Sequence, residues 1–131
     1  MLTLSILADT FAICRLGAGE EVTAWALIGD FGSITHTSDE LSIVCAARHV
    51  PAGVRCDPSW CCLKVEGPLE LSLTGVLSSL TTPLAEARIN LFAIWTFDTD
   101  YLLVKEQNLT RTVAVLSQAG HAVRSPGEKT T

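Results

Sequence analysis

Five cysteines, three histidines and an aspartate that closes a threonine-containing turn are the side chains of this 131-residue chain whose chemistry could exceed packing. The cysteines are Cys14, Cys45, Cys56, Cys61 and Cys62. Their number is odd and two are adjacent, a poor basis for a disulfide framework. No C-x-x-C pair occurs, and His36, His49 and His121 do not stand at zinc-site spacing from the cysteines. Cys14 and Cys45 lie in apolar runs, where a free thiol behaves as a small hydrophobe. Reduced core cysteines and a reducing, cytoplasmic compartment are expected. No G-x-S-x-G elbow, P-loop, Rossmann glycine pattern or H-E-x-x-H is present. Cys61 and Cys62 can be drawn as a thiolate pair with His49, but every such pairing is equally arbitrary. No catalytic residue, metal or cofactor is assigned, and the chain is expected not to be an enzyme.

A binding chemistry is available around Asp100. Free N–H groups at a helix start near residues 74–76 can hold a carboxylate, helped by the helix dipole. Gly75 lets a ligand approach the backbone closely. Asp100 could then accept hydrogen bonds from an α-ammonium group or a basic side chain. Such a set reads the two charged ends of a free amino acid. The structural alternative is that Asp100 caps its own turn, while Gly67 and Gly75 serve turn and helix packing. Asp39 reads as structural, because the helix that would complete its site is missing. His121 reads as a backbone partner, and Trp25, Trp60 and Trp95 as core or interface aromatics.

The chain around these residues is that of a packed globular protein. Apolar residues make up 48% and charged ones 18%, which favours a filled core over disorder. The net charge of −5, with no cluster of Lys or Arg, disfavours nucleic acid and anionic membrane as partners. No apolar run has membrane-spanning length, and the N-terminus lacks the basic region of a signal peptide.

The second half reads β-α-β-β-α-β. Residues 60–66 alternate as a half-buried strand, and 73–87 carry Val76, Leu77, Leu80, Leu84 and Ala87 at helical spacing. Pro83 should kink or split that helix. Residues 89–96, apolar on both faces, predict a central strand, and 101–105 return antiparallel after a tight turn. Residues 109–119 predict a helix with Asn108 as N-cap and Gly120 after its end, before a short strand at 121–123. The first half resembles a shortened copy. Residues 34–43 align with 95–104, matching Thr35 with Thr96, Asp39 with Asp100 and Leu41 with Leu102. Gly17 to Ile34 spans 17 positions and Gly67 to Trp95 spans 28, a deficit of 11, or about three helical turns. The first copy should therefore keep about one turn of its first helix, around 22–26.

Several stretches carry a family resemblance: Asp39-Glu40-Leu41-Ser42-Ile43-Val44, Val65-Glu66-Gly67-Pro68-Leu69, Leu73-Thr74-Gly75-Val76-Leu77, Pro83-Leu84-Ala85-Glu86-Ala87, the run from Thr99 to Glu106, and Ala119-Gly120-His121. In this order they resemble small bacterial proteins with tandem ACT domains, a class similar to aspartate kinase regulatory regions and the eukaryotic cytosolic arginine sensor. The resemblance implies an α+β, ferredoxin-like fold of two ACT-like units. Residues 1–60 would form a shortened N-terminal unit without most of its first helix, 61–124 a complete C-terminal ACT domain, and 125–131 a flexible tail. It implies an amino-acid-binding regulatory protein with its ligand at an interface between ACT units, and by carry-over the ligand-binding positions Gly75, Val76, Thr96, Phe97 and Asp100. A homodimer and a further protein partner fit the same picture. A scaffold or interaction protein that kept the fold without the ligand is the alternative.

Overall fold

The computed structural model describes residues 1–67 and 73–126; the link 68–72 and positions 127–131 of the expected tail lie outside the described residues. The elements run β1 (Thr3–Gly17), a 3-10 turn (Ala24–Leu27), β2 (Ser33–His36), β3 (Glu40–Ala46), a 3-10 turn (Ala47–His49) and β4 (Cys56–Gly67). They continue with α1 (Leu73–Glu86), β5 (Leu91–Trp95), β6 (Asp100–Lys105), a 3-10 turn (Glu106–Asn108), α2 (Leu109–Gln118) and β7 (Ala122–Arg124). Two compact units result: Met1–Ala8 with Cys61–Thr131, and Asp9–Trp60. Because β1 is 15 residues long, its first residues fall in one unit and the rest in the other. The sequence expectation had grouped Met1–Ala8 with the N-terminal half.

In the larger unit the strands stand in the order β7-β1-β4-β6-β5. β7 lies parallel to β1, Thr3 opposite Ala122, and β5 lies antiparallel to β6, Leu91 opposite Val104. The two-residue period of β4 and β6 puts Cys61, Leu63, Val65, Leu102 and Val104 on one face. There they pack in a single cluster with Val76, Leu80 and Leu84 of α1 and Leu116 of α2. The three α1 residues recur at the four-residue spacing of one stripe. β5 is the last strand in the order, not a central one, and Trp95 is 53% exposed. A strand with apolar residues on both faces usually has neighbours on both sides; here β5 has one neighbour, β6, among the described residues.

Pro83 neither kinks α1 out of register nor splits it, since the helix continues to Glu86. A proline lacks the N–H that would reach the carbonyl four residues back, here Ser79. That carbonyl is served by the buried ring of His121, whose Nε2 lies 3.1 Å from it. The other ring nitrogen, Nδ1, accepts from the Leu2 N–H at 3.1 Å. One imidazole, carrying its proton on Nε2, thus ties α1 to the start of β1. Asn108 does not cap α2 with its side chain; the chain enters that helix from the 3-10 turn instead.

Both helices stop in the same way. Gly120 follows α2 with φ 95°, and the His121 N–H reaches the Leu116 carbonyl at 3.0 Å. Arg88 takes the matching place after α1 with φ 60°, and the Ile89 N–H reaches Leu84 at 3.0 Å. This closure requires a left-handed residue, where a Cβ is unfavourable and glycine is not. Arg88→Gly is therefore expected to raise the unfolding free energy by about 0.5–1 kcal/mol in urea titration.

The smaller unit carries the order β2-β3-β1-β4. β1 and β3 pair antiparallel from Phe11 opposite Ala46 to Gly17 opposite Glu40. Ala12, Cys14, Leu41, Ile43 and Cys45 share one face and bury with Ala26 of the first 3-10 turn. Phe11 meets Phe31 edge-on at 5.6 Å. The first helix is reduced to the four residues Ala24–Leu27, as its length predicts. The second is also reduced, to the three residues Ala47–His49. At the near end of the unit Asp9 takes a two-pronged contact from Arg48 at 2.8 and 3.3 Å. The guanidinium holds the Asp9 carboxyl below the ordinary carboxylate range.

Candidate ligand site

A strand–helix–strand connection returns its second strand parallel to the first. The ends of β4 and β5 therefore fall on one edge of the larger unit, together with the start of α1 and the β5–β6 turn. Gly75 and Val76, in the first turn of α1, and Thr96, Phe97 and Asp100, around the turn, thus share this edge. The link 68–72 lies outside the described residues.

Each residue offers something different. Gly75 is exposed, whereas the Val76 side chain is committed to the core at 5% exposure and leaves only its backbone for a ligand. Thr96 closes the turn: its N–H donates to the Thr99 carbonyl at 2.9 Å, and the Thr99 N–H donates to its Oγ1 at 3.1 Å. Its own hydroxyl returns to the Thr99 carbonyl at 3.1 Å. Phe97 stands fully exposed at the tip. Asp100 opens β6 opposite Trp95 and is only 8% exposed. Turn closure by Thr96 leaves Asp100 without the capping role that the sequence alternative gave it. Its carboxylate makes no hydrogen bond or ion pair among the described residues.

The turn of the smaller unit repeats this chemistry and corrects the internal alignment. The Thr37 N–H donates to the Glu40 carbonyl at 2.9 Å, and the Glu40 N–H donates to Thr37 Oγ1 at 3.0 Å. His36 pairs with Leu41 at the end of that hairpin, as Trp95 pairs with Asp100. Thr37, not Thr35, is the counterpart of Thr96, and Leu41, not Asp39, is the counterpart of Asp100. Leu41 is a core residue of its unit. The larger unit thus places a carboxylate where the smaller one places a buried leucine. In the smaller unit the Gly17 N–H, at the end of β1, donates to the Glu20 carboxylate, so that this amide is taken by the chain's own acid.

Two concavities lie in the smaller unit. One, of about 190 Å³, is formed by the loop 26–34. The other, of about 220 Å³, is lined by Cys14, Arg15, Glu40, Ser42, Arg55 and Cys56 among others. Sequence reading missed both; neighbouring positions on three strands form the second, and no local pattern signals that. Burial pushes the Cys14 and Cys62 thiols up to about 12 and raises those of Cys45 and Cys61. These four are neutral at physiological pH and poorly nucleophilic. Among the described residues no three histidine, cysteine or carboxylate side chains converge as a metal site, and no helix is long and apolar enough to cross a membrane.

A complete β-α-β-β-α-β unit beside a reduced copy is the architecture of a ferredoxin-like ACT protein. Residues 55–118 match the family model of the ACT domain, and residues 9–53 match a second model that describes an N-terminal domain. A crystallised Agrobacterium tumefaciens protein, Atu0741, is 42% identical over 99% of this chain and 97% of its own, with a TM-score of 0.91. A Vibrio cholerae protein, VC0802, described as a protein of unknown function and possible transport protein, is 17% identical over 90% of this chain and 89% of its own, with a TM-score of 0.72. The regulatory subunit of aspartate kinase from Thermus thermophilus, in a ligand-free form, is 11% identical over 86% of this chain and 93% of its own, TM-score 0.61. No curated protein matches the sequence. The chain belongs to the ACT-domain family.

Proposed function

We propose that this protein is a non-enzymatic, cytoplasmic regulatory module that binds a free amino acid at the edge carrying Gly75, Val76, Thr96, Phe97 and Asp100. The observation that carries the reading is the Asp100 carboxylate, 8% exposed and unpartnered among the described residues. A largely shielded carboxylate gains from a cationic partner, and a ligand ammonium group supplies one. The positive end of the α1 dipole is the complementary place for a carboxylate. A ligand that prefers one packing of ACT units over another shifts the population, which is all that regulation requires.

Thermal-shift measurement against the twenty amino acids at millimolar concentration tests the proposal. At least one is expected to raise the melting temperature. Asp100→Asn, nearly isosteric, should weaken that ligand about 10- to 100-fold while the unliganded protein remains folded. If no amino acid shifts the wild type, the sensing role is lost.

A second reading rests on a separate observation. β5 ends the strand order with Trp95 and Phe97 exposed beside it, and an unpaired edge of this kind favours association. It suits a homodimer joined through that edge, or a scaffold role with a protein partner. Trp95→Lys is expected to shift a dimer to monomer in light scattering; a wild type that is monomeric at every concentration removes the dimer.

A further inference from the structure

We propose that Cys56 and Cys14 form a thiol pair that a small-molecule disulfide of the glutathione class converts into an internal disulfide within the smaller unit.

The placement follows from strand pairing. β1 and β4 run antiparallel: the Ser5 hydroxyl donates to Glu66 towards one end, and the Arg15 N–H donates to the Arg55 carbonyl at 2.9 Å towards the other. With Arg15 bonded to Arg55, the next opposed pair is Cys14 and Cys56, at a position without ladder hydrogen bonds. Opposed Cα atoms at such positions are about 4.5 Å apart, inside the range a disulfide spans. Both cysteines line the 220 Å³ concavity. Cys45 also neighbours Cys14, on the diagonal set by Ala12 opposite Cys45 and Cys14 opposite Ile43, and like Cys14 it is buried. Cys56 alone of the five cysteines is exposed.

That asymmetry sets the order of events. The Cys56 thiolate attacks one sulfur of the small disulfide, forming a mixed disulfide and expelling a thiolate that takes up the proton Cys56 released. The Cys14 sulfur, after losing its proton, then attacks the Cys56 sulfur; the mixed bond breaks and a second small thiol leaves. Two protein thiols are oxidised and one external disulfide is reduced to two thiols. Arg15, Arg55, Glu40 and Asp57 line the same concavity, so a glutathione-like molecule meets charges of both signs there. Because burial pushes Cys14 up to about 12, the second step is slow near neutrality and accelerates as pH rises.

The test is incubation of the whole chain with oxidised glutathione, acid quenching at intervals, and intact-mass and peptide-mapping analysis. The expected result is a glutathione adduct on Cys56 that appears first and decays into a Cys14–Cys56 link lacking two hydrogens. Cys14→Ser should stop at the adduct, and Cys56→Ser should give neither product. An adduct on Cys56 that persists indefinitely in the wild type, or a link that uses Cys45, overturns the proposal. So does a Cys56 that does not react. The wild-type time course decides the matter even if the Cys14 variant fails to fold.

Discussion

His121→Ala is expected to cost about 3–5 kcal/mol of unfolding free energy, read from urea titration with an unchanged m-value. The ring is buried and serves two backbone groups, the Leu2 N–H and the Ser79 carbonyl, at 3.1 Å each. Removing it leaves both groups without their partner, at about 1–3 kcal/mol apiece, and leaves the volume of a buried ring unfilled. His121→Phe separates the two contributions: it fills the volume and still loses the bonds, so about 2 kcal/mol or more of the cost should persist. The Ser79 carbonyl needs this donor because Pro83 cannot supply one. Pro83→Ala restores an N–H at that place and should recover part of the loss in the His121→Ala background. The double variant then falls short of the sum of the single losses by about 1 kcal/mol. Strict additivity would show that the imidazole and the proline are unrelated.

The second large effect is alkaline destabilisation. Burial pushes the Cys14 and Cys62 thiols from an ordinary value of 9.0 up to about 12 in the folded chain. Folding then favours the protonated thiols. The stability they contribute is fully present below pH 9, where folded and unfolded states are both protonated. It is lost as pH rises towards 12, because the unfolded chain releases protons first. At pH 11 each thiol should withdraw on the order of 2–3 kcal/mol. A Cys14→Ala, Cys62→Ala double variant removes these two titrations while lysine and tyrosine titrations continue. Its stability should fall less steeply than wild type between pH 9 and 11 in denaturant titrations; parallel profiles would refute the attribution to thiols.

Much of this molecule is written in local pattern. The alternation of Leu63 and Val65, the stripe of Val76, Leu80 and Leu84, and Gly120 after α2 each determine their element, because side-chain periodicity and left-handed backbone are properties of a few adjacent residues. The loss of the first helix in the smaller unit was legible in chain length. The loss of its second helix was equally available in the short stretch between Ala46 and Cys56. The hairpin alignment failed for a different reason. It was set by matches along the strands, whereas register is fixed by turn closure, and the shared signal was Thr37 and Thr96 at the first turn position.

What residues do after they meet was decided elsewhere. Nothing near Pro83 announces that an imidazole 38 positions later, at His121, will take its carbonyl partner. Nothing around residues 89–96 says that β5 ends its sheet, since a strand's neighbours are drawn from distant chain. Asp100 in isolation fits a turn cap as well as a ligand contact; only the bonds made by Thr96 release it from the turn. Cys14 and Cys56 face each other because β1 and β4 pair antiparallel, across 42 positions of sequence. Composition and periodicity determine which faces are apolar and which elements form, because both act within one or two turns of chain. Long-range pairing alone determines which polar groups are left over once the backbone is satisfied, and in this protein those groups are where binding and redox chemistry would sit.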